Sequence, residues 1–277
     1  MKAFRFKDVN DFLNESQELR HAEIIRTNLI SSIANSVSSG ARVYEDYFWW
    51  VVKEHERVVG LAIRTVPFGY VFSPMPKDAV ETLLKCILQE DPKAVGFSGP
   101  KVVIDEVEKL FVGKIKVDEG ELIYSLENLI EPEVKGSVRV AQESDFDLIH
   151  SWMLEFAEET KILLFNLESV IKRNIEKNLM YLLEVNGEVV SFGGFHTPIE
   201  ILGKKIGRVG PIYTPKTFRK NGYASQLTAY LSKLILNQGA ISTLYTQAHN
   251  LTSNKIYQEI GYQLVDENRK IEYLSAG

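Results

Sequence analysis

The sequence contains a single cysteine, Cys86, among 277 residues, so it can form neither an internal disulfide nor a Cys-based metal cluster. Cys86 lies in an apolar helical pattern, which indicates buried packing rather than reactivity. The chain also has no excess of basic residues. Its net charge is −5 and its pI is near 5.7, so no general attraction to nucleic acid or to an anionic membrane is expected.

Long hydrophobic runs are absent as well. The longest aromatic-aliphatic run, residues 47–52, is far shorter than a membrane span. The first residues lack the apolar core of a secretory signal peptide, so a cytoplasmic location is the default expectation. Hydrophobic residues make up 45% and charged residues 25% of the chain, as in an ordinary soluble protein with room for one large or two ordinary domains.

Two similar halves are visible along the chain. Residues 50–60 align without gaps on residues 181–191, and each segment reads as two strands around a polar turn. The charged, Pro- and Gly-containing segment 131–136 predicts the boundary between the halves. We therefore predict a tandem of two related α/β units, with domains at 1–133 and 137–277.

Apolar periodicity extends this pattern through both halves. After its hairpin, the first half is expected to have strands near 71–74 and 94–98 and helices over 78–90 and 101–112. In the second half we predict strands near 136–141, 180–185, 189–196, 205–213 and 240–247. Its predicted helices cover about 145–155, 167–177, 222–238 and 252–260.

The most informative segment is residues 209–225, where an apolar strand leads into a short basic loop and then an amphipathic helix. The first N–H groups of a helix have no intrahelical acceptor, and the helix dipole adds partial positive charge there. A loop that brings Arg219, Lys220 and Gly222 to this point is suited to hold a phosphate or pyrophosphate. A side chain at Gly222 would keep the backbone away from the anion.

This loop resembles the acyl-CoA-binding loop of the GNAT N-acetyltransferase superfamily, Arg/Gln-x-x-Gly-x-Gly/Ala, with Arg219, Gly222 and Ala224 at the matching positions. Many relatives have Gly where this chain has Lys220, and we expect phosphate binding by the loop to be less stringent there but not lost. A second block also resembles the closing pattern of the family; it contains Asn250, Ser253, Asn254, Tyr257, Gly261 and Tyr262. The two blocks together span roughly residues 205–275.

The resemblance implies an α/β (α+β) fold of two tandem GNAT-like units, each with a mixed, mostly antiparallel central sheet flanked by helices. In such a fold the strand before the loop splays from its neighbour, and the Gly210–Pro211 pair gives a local reason for that break. The first half runs from Ser73 through Pro76 into its helix with no Arg-and-Gly loop. It is therefore expected to be a degenerate copy with a structural role or a share in the acceptor cleft.

The resemblance also implies the chemistry. An acetyl group passes from acetyl-CoA, the co-substrate, to an amine by direct attack in a ternary complex, with no covalent acyl-enzyme and no metal. The acceptor would be a small-molecule or peptide amine.

Site residues are carried over by position. Main-chain groups of the loop would hold the pyrophosphate; the loop residues are Arg219, Lys220, Asn221, Gly222, Tyr223 and Ala224. Main-chain groups of Ile212, Tyr213 and Thr214 would pair with pantetheine and polarise the thioester carbonyl. Asn250, Ser253 and Asn254 would contact the pantetheine arm, and Tyr257 would protonate the departing thiolate.

Several of these residues have a simpler explanation. Tyr257 could be a core aromatic, Asn250 could only cap its helix, and Arg219 could be a surface charge. For the general base the alternatives stay open: His196 at a strand end, Glu184 on the preceding strand, or deprotonation through water. Three glutamates of the first helix could bind the amine: Glu155, Glu158 and Glu159.

Two other functions compete with this hypothesis. One is an acyl-CoA-binding sensor or scaffold without turnover, which the intact loop and Tyr257 disfavour. The other is a transferase that uses aminoacyl-tRNA, as some tandem relatives of this fold do. The acidic net charge and the preserved pyrophosphate loop argue against it.

Overall fold

The computed structural model describes residues 1–274, which fold around one mixed sheet of twelve strands. The strands of the first half are β1 (Lys2–Phe6), β2 (Tyr47–Glu54), β3 (Arg57–Thr65), β4 (Tyr70–Phe72), β5 (Gly96–Pro100) and β6 (Ile115–Leu126). Its helices are α1 (Val9–Glu15), α2 (Gln17–Ala22), α3 (Asn28–Ser38), α4 (Lys77–Glu90) and α5 (Lys101–Leu110).

The second half repeats this order, with two α-helices in place of three after its first strand. Its strands are β7 (Ser137–Val140), β8 (Met180–Val185), β9 (Glu188–Ile201), β10 (Lys204–Tyr213), β11 (Ala240–Gln247) and β12 (Gln263–Tyr273). Its helices are α6 (Phe146–Thr160), α7 (Leu167–Glu176), α8 (Tyr223–Leu236) and α9 (Leu251–Glu259). The predicted α/β (α+β) fold, with a mostly antiparallel sheet flanked by helices, is confirmed; only the β4–β5 and β10–β11 pairs are parallel among the described pairings.

The predicted elements are present, with shifted ends. Helix α6 extends to Thr160, five residues beyond the predicted end, and stops where Lys161 adopts a left-handed conformation with φ of 58°. Strand β9 continues to Ile201 because it pairs along its outer part with β10. Helices α1 to α3 and strands β1, β6 and β12 were not predicted.

The two halves exchange their last strands. The sheet order is β1-β2-β3-β4-β5-β12-β6-β11-β10-β9-β8-β7, so β12 pairs with β5 and β6 pairs with β11. The two exchanged strands also pair with each other, from Gln263 opposite Ser125 to Tyr273 opposite Ile115. The predicted boundary at 131–136 lies in the coil between β6 and β7, and the division into domains 1–133 and 137–277 stays a prediction.

Each half has its own hydrophobic core against the sheet. In the first half α4 and α5 cover a cluster that contains Trp50, Phe72 and Phe97, and the exchanged strand adds Ile271 to it. In the second half α8 covers a cluster with Leu227, Leu231 and Leu244, and α6 and α7 cover one around Trp152. Among the described residues, no helix combines the length and the apolar character needed to cross a bilayer.

The first half has no space between its parallel strands. A Cβ placed on Gly99 would lie 2.7 Å from the carbonyl oxygen of Phe72, so β4 and β5 stay in close contact. Helix α4 begins directly after Pro76, and neither Pro74 nor Pro76 carries an N–H group that could bind an anion. These features support the interpretation of the first half as a degenerate copy.

Candidate functional site

The loop before α8 presents free backbone donors. Lys220 and Gly222 have φ angles of 68° and 80°, and the second of these places the chain at the start of α8. No side chain caps the helix, and within residues 1–274 the N–H groups of Asn221 to Ala224 have no hydrogen-bond acceptor. These donors lie at the positive end of a helix of 14 residues, which is a suitable place for an anion.

The side chain of Arg219 points away from these donors. Its Nε donates to the carbonyl oxygen of Thr214 at 2.8 Å, and its Nη2 donates to both carboxylate oxygens of Glu159. Its guanidinium also lies 5.6 Å from the centre of the Tyr213 ring. Arg219 therefore anchors the loop to β10 and α6, and the main chain is what the loop offers to an anion.

A gap opens beside this loop, between β10 and β11. The two strands pair only from Lys205 opposite Ala240 to Arg208 opposite Thr243. Beyond that point the register of β10 against β9 shifts between Val209 and Ile212, at the Gly210–Pro211 pair. The predicted break in this strand is confirmed, and it leaves the edge of Ile212 to Thr214 without a partner strand on the β11 side among the described pairings.

The end of β10 is fixed by side chains around it. The Ser191 hydroxyl donates to the carbonyl oxygen of Tyr213 at 2.8 Å and lies 2.9 Å from the Thr214 hydroxyl. The Tyr213 hydroxyl donates to Glu155 at 2.7 Å. Two of the three glutamates considered as amine ligands, Glu155 and Glu159, are thus engaged in holding β10 and the loop.

The start of α9 faces the other side of the gap. Asn250 caps the helix, since its side-chain oxygen accepts the N–H of Ser253 at 3.1 Å. Asn254 is buried, and its Nδ2 donates to the carbonyl oxygen of Ala248 at 3.2 Å. Its Oδ1 is also buried and has no donor within residues 1–274, so this acceptor is available to a ligand.

Tyr257 lies one turn further along α9. It is half-buried, and its ring lies 6.3 Å from that of Tyr124 and 6.2 Å from that of Tyr262. Burial raises the pKa of its hydroxyl above the usual value of 10.0, so the group stays protonated at neutral pH. The aromatic packing agrees with a core role, and the retained proton agrees with an acid role.

A cavity of about 1190 Å³ lies between the two halves. It reaches the break in β10 at Gly210 and Pro211, and Gln247 at the end of β11 also lines it. Its other wall comes from the first half, including Arg42 and Phe68. The cavity therefore adjoins the gap on the side from which an acceptor could enter.

His196 lines this cavity, and its surroundings make it a weak base. Its Nε2 lies 3.2 Å from Nη2 of Arg208. The charge of Arg208, together with burial, holds the pKa of His196 well below its usual range. The other base candidate, Glu184, accepts a hydrogen bond from Nε of Arg139 at 2.6 Å.

These features agree with comparisons to known proteins. A family described as FR47-like protein matches residues 199–271, which include the break, the loop and α9. A GNAT-family acetyltransferase from Colwellia psychrerythraea shares 11% identity at a TM-score of 0.63, covering 99% of this chain and 100% of the other. No protein of curated function matches the chain in sequence.

Two further solved structures have a similar fold. A GCN5-related N-acetyltransferase from Sphaerobacter thermophilus has 11% identity and a TM-score of 0.65, covering 99% of this chain and 96% of that one. A tandem GNAT protein from the clavulanic acid biosynthesis pathway has 10% identity and a TM-score of 0.57, with 100% and 99% coverage. The chain has the tandem GNAT fold. The resemblance inferred from the loop is thereby confirmed at the level of the fold.

Within this GNAT fold the predicted coenzyme residues come together around one gap. Ile212, Tyr213 and Thr214 form one side, the loop from Arg219 to Ala224 forms one end, and the start of α9 forms the other side. The two predicted catalytic residues do not come together. His196 lines the cavity between the halves, whereas Tyr257 packs with the core cluster under α8 and is not among the cavity-lining residues.

One residue that contacts the loop was not predicted from the sequence. Lys135, in the coil between the halves, lies with its Cε 4.0 Å from the position of a Cβ on Gly222. Its N–H donates to Oε1 of Gln226 at 2.6 Å, and Nε2 of Gln226 donates to the carbonyl oxygen of Gly136 at 2.7 Å. Only the presence of a lysine in the charged segment predicted as the boundary could have indicated this contact.

Proposed function

We propose that this protein is an N-acetyltransferase that transfers the acetyl group of acetyl-CoA to an amine, a small molecule or a peptide, by direct attack in a ternary complex. The observation that carries the proposal is the set of unpartnered N–H groups from Asn221 to Ala224 within the described chain, placed at one end of the gap between β10 and β11. A diphosphate needs such donors, and an extended amide-containing arm can pair with a free strand edge.

The residues around the gap fit the coenzyme. The loop donors would hold its pyrophosphate, and Lys135 beside Gly222 would add positive charge by leaving its exposed ion pair with Glu133. The free edge from Ile212 to Thr214 would pair with the pantetheine arm. The buried, unpartnered Oδ1 of Asn254 would accept one of the amide protons of that arm.

The reaction forms one C–N bond and breaks one C–S bond. The neutral amine attacks the thioester carbonyl, whose developing negative charge would be stabilised by a main-chain N–H of β10, an effect of about 3 kcal/mol for one well-placed donor. Tyr257 would give its phenolic proton to the departing sulfur and recover one, through solvent, from the positively charged nitrogen of the tetrahedral intermediate. Since the low pKa of His196 makes it a poor base, we favour loss of the amine proton to water in the cavity.

The first half would serve as a wall of the acceptor site. It supplies part of the cavity lining, but its β4 and β5 leave no gap and the prolines ahead of α4 offer no donors. We therefore place a single coenzyme site in the second half. Titration calorimetry with acetyl-CoA should give a stoichiometry of one per chain.

The proposal is tested by binding and turnover together. Calorimetry should detect acetyl-CoA binding, and an amine library should contain compounds that accelerate release of free thiol from acetyl-CoA. Absence of binding at millimolar acetyl-CoA would refute the site. Binding without turnover for any amine would instead favour an acyl-CoA-binding sensor. This is the second candidate function because His196 is a weak base and Tyr257 does not line the cavity.

A further inference from the structure

The cavity between the halves is lined by five arginines of two kinds. Arg64 pairs with Asp91, and Arg269 pairs with a set of three carboxylates. Arg42, Arg173 and Arg208 differ, because no carboxylate oxygen within residues 1–274 lies within 4.0 Å of their guanidinium nitrogens. The cavity therefore contains three arginine charges without an acidic partner in the described chain.

These three arginines come from different elements and line the same cavity as His196. Arg208 on β10 is hydrogen-bonded to His196 at 3.2 Å. Arg42, after α3, and Arg173, on α7, are both close enough to contribute to the low pKa of His196. Nη1 of Arg173 donates to the carbonyl oxygen of Ala41 at 3.0 Å, which ties α7 to the segment that carries Arg42.

The acidic residues of the cavity lining, Glu119, Glu121 and Glu272, form no ion pair with these three arginines, and Glu272 pairs with Lys270 instead. All three arginines are half-buried, so water screens their mutual repulsion less than it would on an open surface. Glu121 lines the same cavity and interacts with Arg208 beyond ion-pair distance, but burial outweighs that attraction and raises the pKa of the Glu121 carboxyl, which favours the neutral form. Because His196 is neutral, it neither adds to the positive charge nor offsets it.

We propose that Arg42, Arg173 and Arg208 bind a carboxylate of the acceptor, so that the acceptor is an amine that also bears a carboxylate, as a free amino acid does. Guanidinium groups bind carboxylates through paired N–H donors. Arg208 lies two residues before Gly210, where the cavity meets the gap in β10, so an acceptor held there has its amine within reach of the gap. A cavity of about 1190 Å³ leaves room for a side chain as well.

This inference rests on the proposed function for the fate of the amine, but its binding step can be tested alone. The probes are free L-amino acids and their carboxamides, which keep the amine and remove the carboxylate charge. Calorimetry in the presence of CoA should show at least ten-fold tighter binding of the best amino acid than of its amide. Arg173→Gln and Arg42→Gln should each remove that difference, and Arg173→Lys should restore part of it.

The matched control is Lys172→Gln, which removes a positive charge from the same helix. Lys172 lies 5.3 Å from the ring of Phe146 and does not line the cavity, so the preference for the acid should persist. Equal binding of acids and amides, or tighter binding of phosphoethanolamine than of glycine, would overturn the inference. So would a preference for uncharged amines together with succinyl-CoA, because the arginines would then bind the acyl group.

Failure of this inference is distinguishable from failure of the proposed function. If the amino acid binds with the arginine dependence described but no thiol is released from acetyl-CoA, the carboxylate site stands and the transferase does not. If thiol release occurs equally with amides, the transferase stands and the carboxylate site does not.

Discussion

One guanidinium nitrogen of Arg219 is shared between the two carboxylate oxygens of Glu159, at 2.9 Å and 2.7 Å. The pair links the loop before α8 to the last turns of α6, 60 residues earlier in the chain. Because the charge of Arg219 is already compensated, we expect it to contribute to coenzyme binding by holding the loop in shape.

Arg219→Ala should therefore weaken acetyl-CoA binding by loosening the loop. We expect the KM for acetyl-CoA to rise about ten-fold, with a smaller change in kcat, since the lost interaction affects coenzyme binding and not the chemical step. Glu159→Gln should reproduce part of the rise. Lys216→Ala is the control, because the Lys216 side chain is exposed and its Nζ comes no closer than 3.9 Å to Glu159. A large effect of Arg219→Ala without any effect of Glu159→Gln would show a direct contact with phosphate instead.

Gly222→Asp should abolish acetyl-CoA binding, because it places a negative charge at the free N–H groups where the pyrophosphate is expected. A residue at φ of +80° is strained in any case, so the control must share that strain. Gly187, in the turn between β8 and β9, has the same φ, and nothing lies within 4 Å of the point that a Cβ would occupy there. Gly187→Asp should lose similar stability in urea unfolding and still bind acetyl-CoA by calorimetry; equal affinity in both variants would contradict the loop assignment.

Tyr257→Phe should lower kcat by about a hundred-fold, the contribution typical of general acid catalysis, with little change in the Kd for acetyl-CoA. The raised pKa of Tyr257 means that kcat of the wild type should not fall through loss of this proton below pH 10. Tyr230→Phe, at an exposed tyrosine of α8, is the control and should leave kcat unchanged. Unchanged kcat in Tyr257→Phe would leave this residue as a core aromatic.

His196 should make the folded state less stable in acid. Its pKa in the folded protein is held well below the usual 6.5 by Arg208, burial, Arg42 and Arg173, so the unfolded chain binds this proton first as the pH falls. The contribution to stability is present above about pH 6.5 and is lost below it. Urea unfolding from pH 7.5 to 5 should show a decrease that His196→Gln reduces; identical decreases would exclude His196 as the cause.

The loop and the strand break were predictable because their causes are local. Gly222 and the Gly210–Pro211 pair act through backbone conformation, which a short window of sequence reveals. Strand β6 was missed because its first eight residues include Asp118, Glu119 and Glu121, a charged composition that is unusual for a central strand. Only the structure shows that Arg269 of β12 donates to Asp118 across the strand pair.

The cavity could not be derived from the sequence for a different reason. Arg42, Arg173 and Arg208 are separated by more than a hundred residues at the widest, and no local pattern relates them. They meet because the segment after α3, helix α7 and strand β10 all contribute to the lining of one cavity. Asn254 was predicted as a coenzyme contact, but its orphaned oxygen becomes visible only once its neighbours are in place.

The exchange of β6 and β12 has a consequence for folding cooperativity. Ile271 belongs to the last strand of the second half, yet its side chain completes the core beneath α4 and α5 in the first. Neither half can reach its final packing until the exchanged strand of the other half has paired with it. Denaturation should accordingly follow a single transition, and substitutions that destabilise β12 should also destabilise the N-terminal half.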